Sequence, residues 1–322
     1  MTVGILLVGG RGTRLAPITS EIPKPMLPVA CKPVTEHQIL AAQRAGITTL
    51  VLATSYLSEV FIPYFGDGSK WGIDLRYAVE KEPLGTGGAI ANAAAHLDKG
   101  VADEAVVIFN GDVLSQHNLA AQIEFHKKSD ADITLHLIQV DDARAFGCVP
   151  TTADGQVEAF LEKMENPVTN QINAGCYVFN PRVITAIPLD TVVSVERETF
   201  PQLVASGAKV FGYVENAYWL DIGTPRALLK ASIDIVKRSG EFLAMPGAGI
   251  DPTAVITGGS CIGSNSSVGA GALIDGSIIE AGCVIGPNAK ISDSFVATGT
   301  EIKNNVKITS SFATNNEILS IP

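Results

Sequence analysis

Ile5-Leu6-Leu7-Val8-Gly9-Gly10-Arg11-Gly12-Thr13-Arg14-Leu15 runs a short, wholly apolar stretch straight into a glycine-rich loop. An apolar run of this length bounded by glycines reads as a strand buried on both faces. In sheets covered by helices, the loop leaving the carboxyl end of such a strand is where nucleotides bind. Its glycines let backbone N–H groups approach phosphate and base closely. Two familiar phosphate loops are excluded: a P-loop ends in Gly-Lys-Ser/Thr, and a dinucleotide fingerprint needs a third glycine near Leu15. Taken alone, the same glycines could form an ordinary tight turn. Arg14 adds a guanidinium suited to bidentate phosphate contact. Pro23-Lys24-Pro25 follows, and its prolines favour extended backbone, presenting Lys24 with little entropy left to lose.

Further apolar runs at 49–53, 75–79, 105–110 and 133–140 join 5–8 as predicted strands. Helical stretches at 35–45, 87–96 and 119–128 lie between them. Repeated strand–helix–strand units predict an α/β fold with a doubly wound, mostly parallel, Rossmann-like sheet. A last helix is announced by Thr224 as cap, Pro225 in its first position, and Leu229, Ile233 and Val236 on one face. Character changes at 239–249, where turn residues predict a linker. Beyond it Ile256, Ile262, Val268 and Ile274 recur every six positions; the register slips and restarts at Ile279, Ile285 and Ile291, then slips again to Ile302 and Ile308. A flexible tail has no reason to keep that period. It predicts a short left-handed parallel β-helix of hexapeptide repeats, with about four coils of about 18 residues. The expected domains are 1–238, the α/β sheet domain; 239–249, linker; and 250–322, β-helix.

Composition narrows the function classes. The chain has 33 acidic and 23 basic residues in 322, a net charge of −10. That balance argues against general nucleic-acid binding, which relies on clustered Lys and Arg. No window offers the roughly 20 apolar residues of a membrane span, and the opening stretch is too short for a signal h-region. The five cysteines are odd in number, scattered and without a C-x-x-C pair. They predict reduced thiols in a cytoplasmic protein, with neither a disulfide frame nor a zinc site.

Several further stretches carry charge or glycine where a strand ends. They are Glu80-Lys81-Glu82-Pro83-Leu84-Gly85-Thr86-Gly87-Gly88, Phe109-Asn110-Gly111-Asp112, Phe146-Gly147-Cys148-Val149, Phe160-Leu161-Glu162-Lys163, Ile172-Asn173-Ala174-Gly175 and Trp219-Leu220-Asp221-Ile222-Gly223. Taken singly, each could be a turn or a cap. Together with LVGGRGTRLAPITSEIPKPML at 7–27, the series resembles the sugar-1-phosphate nucleotidyltransferases over residues 3 to 236, and the hexapeptide tail fits that family too. Val193-Ser194-Val195-Glu196-Arg197-Glu198-Thr199-Phe200-Pro201, FNGDVLS and INAGCYVF make the likeness strongest to its mannose-1-phosphate guanylyltransferases.

The resemblance implies a site residue by residue. Leu7, Gly9, Gly10, Gly12, Thr13, Arg14, Lys24, Glu80, Gly85, Thr86 and Asp112 would hold the nucleoside triphosphate, expected to be GTP. Gly147, Glu162, Lys163, Asn173 and Gly175 would hold the sugar-1-phosphate. Asp112 and Asp221 would hold Mg²⁺, which prefers hard oxygens and takes one or two carboxylates plus substrate phosphates. Arg14, Lys24 and Lys163 would be the catalytic charges. Met164 follows Lys163 where the family pattern has proline, which removes rigidity but no charge. A glucose-1-phosphate enzyme using UTP, dTTP or ATP is the alternative, and a non-catalytic nucleotide-sugar-binding subunit is the alternative of another class. An acyltransferase role for the tail is disfavoured because all five histidines lie at or before His136. The expected assembly is a homo-oligomer, dimer or tetramer.

Overall fold

The computed structural model describes residues 2–10, 12–16, 18–19, 22–55, 58–98 and 105–321. Arg11, Pro17, Ser20 and Glu21 of the first signature lie outside the described residues. The backbone divides into two compact units, Met1–Arg11 with Thr35–Trp219, and Gly12–Val34 with Leu220–Pro322.

The first unit is a nine-stranded sheet with helices between its strands. In chain order its main elements are β1 (Thr2–Leu7), α1 (Val34–Arg44), β2 (Ile47–Thr54), β3 (Asp74–Val79), α2 (Gly85–Ala94), β4 (Val106–Asn110) and α3 (Leu119–Lys128). Then come β5 (Ile133–Gln139), β6 (Gly147–Cys148), β7 (Leu161–Glu162), β8 (Gln171–Phe179) and β9 (Val210–Val214). The order is β7-β6-β8-β4-β1-β2-β3, with β5 also on β8 and β9 on β5. Strands β3, β2, β1 and β4 are parallel, as strands joined by crossover helices must be. The expected parallel array is therefore one half of the sheet. In the other half β8 runs antiparallel to both β4 and β5.

Strands β1, β2 and β4 lie in the middle and bury both faces; Ile5, Val51 and Ile108 share one core cluster with Tyr177, Phe179 and Phe200. Helix α3 starts at Asn118, whose side chain accepts from Ala121 N at 3.1 Å. That satisfies one of the donors a helix leaves open at its start. Among the described residues no helix is long and apolar enough to cross a membrane.

The second unit joins the 12–34 loop to the C-terminal third of the chain. Helix α4 (Pro225–Ser239) has the expected start, with Thr224 Oγ1 accepting from Ala227 N at 3.2 Å. Its Ser232 hydroxyl accepts from Ala30 N at 2.6 Å, at the tip of the hairpin formed by Pro28–Val29 and Lys32–Pro33. Ala30 and Cys31 occupy that tip with left-handed backbone, φ 47° and 60°. Cys31 is disulfide-bonded to Cys261, with Cα atoms 6.4 Å apart. The expectation of five reduced thiols is corrected: three cysteines are free, Cys148, Cys176 and Cys283, all buried. Sequence could not reveal the pair, because 230 positions separate its members and only the packing of Ala30, Val236 and Cys261 into one cluster brings them together.

The β-helix starts earlier than expected. Within 239–249, read as a linker, Phe242–Ala244 already pairs in parallel with Ser260–Ile262. Three sheets follow, one through Ser260–Ile262, one through Ser267–Val268 and one through Leu273–Asp275, parallel except that Ile318–Ser320 ends the first antiparallel to Ser311–Ala313. Partners are 18 residues apart in the first coil, as in Ala244 against Ile262, and 17 afterwards, as in Ile262 against Ile279. The lost residue is at one corner. Gly258 and Gly259 turn it in the first coil, and the single residues Gly276, Asp293 and Ser310 turn it in later ones, all with positive φ. This accounts for both slips in the aliphatic period, and it places Val296 in the interior beside Ile262 and Ile279.

A serine follows each of these corners. Ser277 N donates to Ser260 Oγ, Ser294 N to Ser277 Oγ and Ser311 N to Ser294 Oγ, each at 3.1 Å. Each hydroxyl in turn donates to a carbonyl of its own corner, at 2.6–2.8 Å. Ser294→Ala strands a buried N–H above it and should lower the unfolding free energy by about 1–3 kcal/mol. Ser311→Ala, at the last rung, strands none and should cost less. Chemical denaturation of the two variants side by side checks the difference.

Candidate active site

The chemistry-bearing residues of the first unit collect where strands end. Parallel pairing sets the carboxyl ends of β1, β2 and β3 side by side: Val8 N donates to Ala53 O at 2.9 Å and Glu80 N to Thr54 O at 2.8 Å. Gly9 and Gly10 follow β1, and Ser55 Oγ donates to Gly9 O at 2.8 Å, holding that loop. Glu80 follows β3. Its Oε2 accepts from Leu84 N at 3.5 Å. Its Oε1 is buried with no hydrogen-bond partner among the described residues. Burial pushes the Glu80 carboxyl above its ordinary value, and the Leu84 N–H partly opposes this.

Gly85 and Thr86 begin α2 beneath a strap of residues 191–196. Gly85 has φ 70°, and a Cβ on it would collide with Val193 O, so no other residue fits without moving the strap. Gly87 N donates to Val193 O at 2.8 Å. The Thr86 hydroxyl accepts from Val195 N at 3.0 Å and donates to Glu196 Oε2 at 2.7 Å. Thr86 was expected to serve a nucleotide; its side chain is already occupied in fastening the strap.

Asp112 sits in a turn held from three directions. Gly111 N donates to Leu7 O at 2.9 Å. Gln38, on α1, spans the turn, its Nε2 donating to Asn110 O at 2.7 Å and Val113 O at 2.8 Å. From β8, the fully buried Tyr177 hydroxyl accepts from Asn110 Nδ2 at 3.4 Å and from Asn173 Nδ2 at 2.8 Å. The register of β8 shifts between Asn173 and Tyr177. Within this bulge Gly175 N donates to Asn173 Oδ1 at 3.1 Å, and Gly175 lies against Asn110. Bulges of this kind re-aim side chains beside sites.

Gly147 and Glu162 are direct partners across β6 and β7. Glu162 Oε1 is 3.9 Å from Lys163 Nζ, and the Lys163 side chain is 63% exposed. Lys163 also has left-handed backbone, φ 43°, a conformation that costs free energy in a non-glycine residue. Trp219, on whose ring Phe146 packs edge-on at 5.5 Å, donates its indole N–H to Ala174 O at 2.9 Å.

The second unit carries its own charged set. Gly12 leads into a 3₁₀ turn over Thr13–Leu15, and Thr19 Oγ1 donates to Gly12 O at 3.0 Å. Thr13 and Arg14 are exposed. Pro23 is extended as expected, but Lys24 begins a second 3₁₀ turn, closed by Met26 N to Pro23 O at 2.8 Å and Leu27 N to Lys24 O at 3.1 Å. That corrects the extended conformation predicted for Lys24: closing two turn hydrogen bonds outweighs the preference of a residue before proline. Lys24 is 6% exposed, and its Nζ is 3.7 Å from Asp221 Oδ1. A Cβ on Gly223 would lie 2.9 Å from Asp221 Oδ2 and 3.2 Å from Arg14 Nη2, so the Asp221 carboxylate and the Arg14 guanidinium flank the same glycine.

Gln38, Tyr177 and Glu196 went unassigned in the sequence. A trace of Gln38 was there, since it lies on the buried face of α1 with Ile39 and Ala42, where an amide needs partners. Among the described residues no three His, Cys, Asp or Glu gather to hold a metal. Asp112 and Asp221 each offer hard carboxylate oxygens, the donor type that Mg²⁺-like cations take together with water and phosphate oxygens.

Glycine loops at the carboxyl edge of a parallel sheet are the feature by which folds of this class bind phosphorylated nucleotides. The "Nucleotidyl transferase" family model matches residues 3–238. The mannose-1-phosphate guanylyltransferase of Mycobacterium tuberculosis is 47% identical over 282 residues, covering 84% of this chain and 77% of that protein. Mannose-1-phosphate guanylyltransferase 1 of Arabidopsis thaliana is 35% identical, with the same two coverages. Among solved structures, HddC from Yersinia pseudotuberculosis complexed with GMP-PN is similar, with a TM-score of 0.62 and 28% identity over 73% of this chain and 100% of that one. The chain belongs to the nucleotidyl transferase family, whose members generally use a divalent metal.

Gln38→Leu keeps the volume and strands two carbonyls at the Asp112 turn. It should lower nucleotidyl transfer by about ten-fold or more, since small displacements of positioned groups are costly, and reduce stability by about 1–3 kcal/mol. Steady-state turnover and denaturant unfolding of the same preparation check both.

Proposed function

We propose that this chain transfers GMP from GTP to mannose-1-phosphate, releasing pyrophosphate and GDP-mannose. The likeness to the Mycobacterium tuberculosis mannose-1-phosphate guanylyltransferase, 47% identical over 84% of the chain, carries the reading. The presence of every charge such a reaction needs, Arg14, Lys24, Asp112, Lys163 and Asp221, supports it and disfavours a non-catalytic subunit. Residues 1–238 are taken as the catalytic part and the β-helix as a packing or oligomerisation element of a cytoplasmic dimer or tetramer.

The nucleophile is a phosphate monoester oxygen, already ionised at neutral pH, so no general base is required, and no histidine stands in the assigned motifs. The task is to align two anions that repel each other. Leu7, Gly9, Gly10, Gly12, Thr13, Glu80, Gly85 and Thr86 are assigned to the nucleotide. Arg14 and Lys24 stabilise the triphosphate and the departing pyrophosphate. Gly147, Glu162, Asn173 and Gly175 receive the sugar, and Lys163 anchors its phosphate. Asp112 and Asp221 are the carboxylates assigned to Mg²⁺, which supplies further neutralisation of phosphate charge when bound.

The test is pyrophosphate release with Mg²⁺ over a grid of GTP, ATP, CTP, UTP and dTTP against mannose-1-phosphate and glucose-1-phosphate. GTP with mannose-1-phosphate should dominate, and a chelator should abolish the signal. Arg14→Ala and Asp112→Ala should each lower turnover by about 10²-fold or more with the fold intact. A dominant signal in another cell of the grid would move the substrate pair, and silence from folded protein would overturn the enzyme reading.

A further inference from the structure

No histidine stands in the motifs assigned to the reaction, yet two stacked histidines adjoin two of those motifs in the fold. His117 lies on His136 with ring centroids 3.8 Å apart and planes 15° from parallel. His117 follows the short strand Val113–Ser115, which leaves the Asp112 turn. His136 is in β5, where the register shift of β8 sets Ala174, Gly175 and Cys176 opposite it alone. It is fully buried, and neither ring nitrogen has a hydrogen-bond partner among the described residues. Burial, and then the neighbouring His117, pushes its pKa down to about 3, against the Glu215 backbone. His136 is therefore a neutral, flat support for the ring beside it.

A bulge is the part of a strand least held by its ladder, so side-chain ties decide its shape. Here two side chains take its carbonyls. Trp219 donates its indole N–H to Ala174 O at 2.9 Å. Gln122, fully buried on α3, donates from Nε2 to Cys176 O at 3.4 Å and to Thr134 O at 3.3 Å. Carbonyl oxygens only accept, so the amide nitrogen of Gln122 must face both of them and its Oε1 must face away. That Oε1 lies 2.9 Å from His117 Nε2. It needs a donor, so His117 carries its proton on Nε2 and leaves Nδ1 to accept from the Ser115 hydroxyl at 2.9 Å. Burial holds His117 below its ordinary pKa, opposed by the Gln122 contact and the charge of Glu215, and so favours the neutral ring. One tautomer thus joins Ser115, on the strand leaving Asp112, to Cys176, in the bulge that carries Asn173 and Gly175.

We propose that His117 is a positioning residue for the sugar-phosphate pocket: as its Nε2–H tautomer it orients the Gln122 amide, which holds Cys176 O and so sets the Asn173–Gly175 bulge. The proposal rests on the assignment of Asn173 and Gly175 to the sugar made above. It adds a residue that acts at one remove, through Gln122.

The experiment uses the two ends of the ring. A glutamine side chain sets its amide nitrogen near the place of Nε2, and an asparagine sets its amide near the place of Nδ1. His117→Gln therefore keeps the donor to Gln122, whereas His117→Asn removes it and keeps a partner for Ser115. Both variants lose the ring stacked on His136, so a role in packing alone predicts equal effects. Kinetics are run with the sugar-1-phosphate and nucleoside triphosphate that the wild-type protein turns over best. His117→Asn should raise KM for the sugar-1-phosphate about ten-fold and leave KM for the triphosphate within about two-fold. His117→Gln should stay within about three-fold of wild type on both. Equal losses in the two variants, or a loss that falls on the triphosphate, would overturn the proposal. In the wild-type protein, ring-nitrogen NMR shifts near neutral pH should show His117 neutral and protonated on Nε2. A proton on Nδ1, or a charged ring, would overturn the proposal without any variant, so it is decided even if both variants fold poorly. If the wild-type protein transfers no nucleotide, it is the underlying reading that fails.

Discussion

The backbone of Gly111 lies so close to the carbonyl of Leu7 that a Cβ would overlap it, and its N–H donates to that same oxygen. This contact ties the turn after β4 to the end of β1, one of the two inner strands of the parallel half. The loop carrying Gly9 and Gly10 and the turn carrying Asp112 thereby share one origin. Gln38 and Tyr177 then restrict the turn from the α1 and β8 sides. Backbone hydrogen bonds and close-packed glycine hold position more tightly than long side chains do, because little rotamer freedom remains to be lost. The first unit therefore presents its carboxylates from rigid strand ends.

The same preference appears in the second unit. Lys24 sits on a short turn between prolines, packed at 6% exposure and facing Asp221. Held this way its ammonium is already largely desolvated, and the carboxylate beside it limits that penalty. Lys163 in the first unit is handled otherwise: its side chain is exposed, and its left-handed backbone supplies the constraint. Two lysines assigned to phosphates are thus fixed by different physical means.

What the sequence disclosed follows from which constraints are local. Glycine loops, the prolines around Lys24, the Thr224 cap and the aliphatic period of the tail act over a few residues, and they were legible. The antiparallel strand β8 was not, because residues 171–179 mix Asn, Gly and Cys around a bulge that breaks alternation. Nor was the serine ladder, whose members recur at 17 residues under the more conspicuous period of six. Gln38, Tyr177 and Glu196 act on partners far along the chain. Cys31 and Cys261, 230 positions apart, gave no sign of each other at all.

That last pair has a topological result. The bond closes the chain from Cys31 to Cys261 into a ring, and the segment Thr35–Trp219 belongs to that ring as one long insertion between the two pieces of the other unit. A single protease cut anywhere inside the ring leaves one covalent molecule. Such a nicked protein would run as intact under non-reducing denaturing conditions and separate into two fragments only once a thiol is added, so its integrity as a chain and its integrity as a molecule are separate properties.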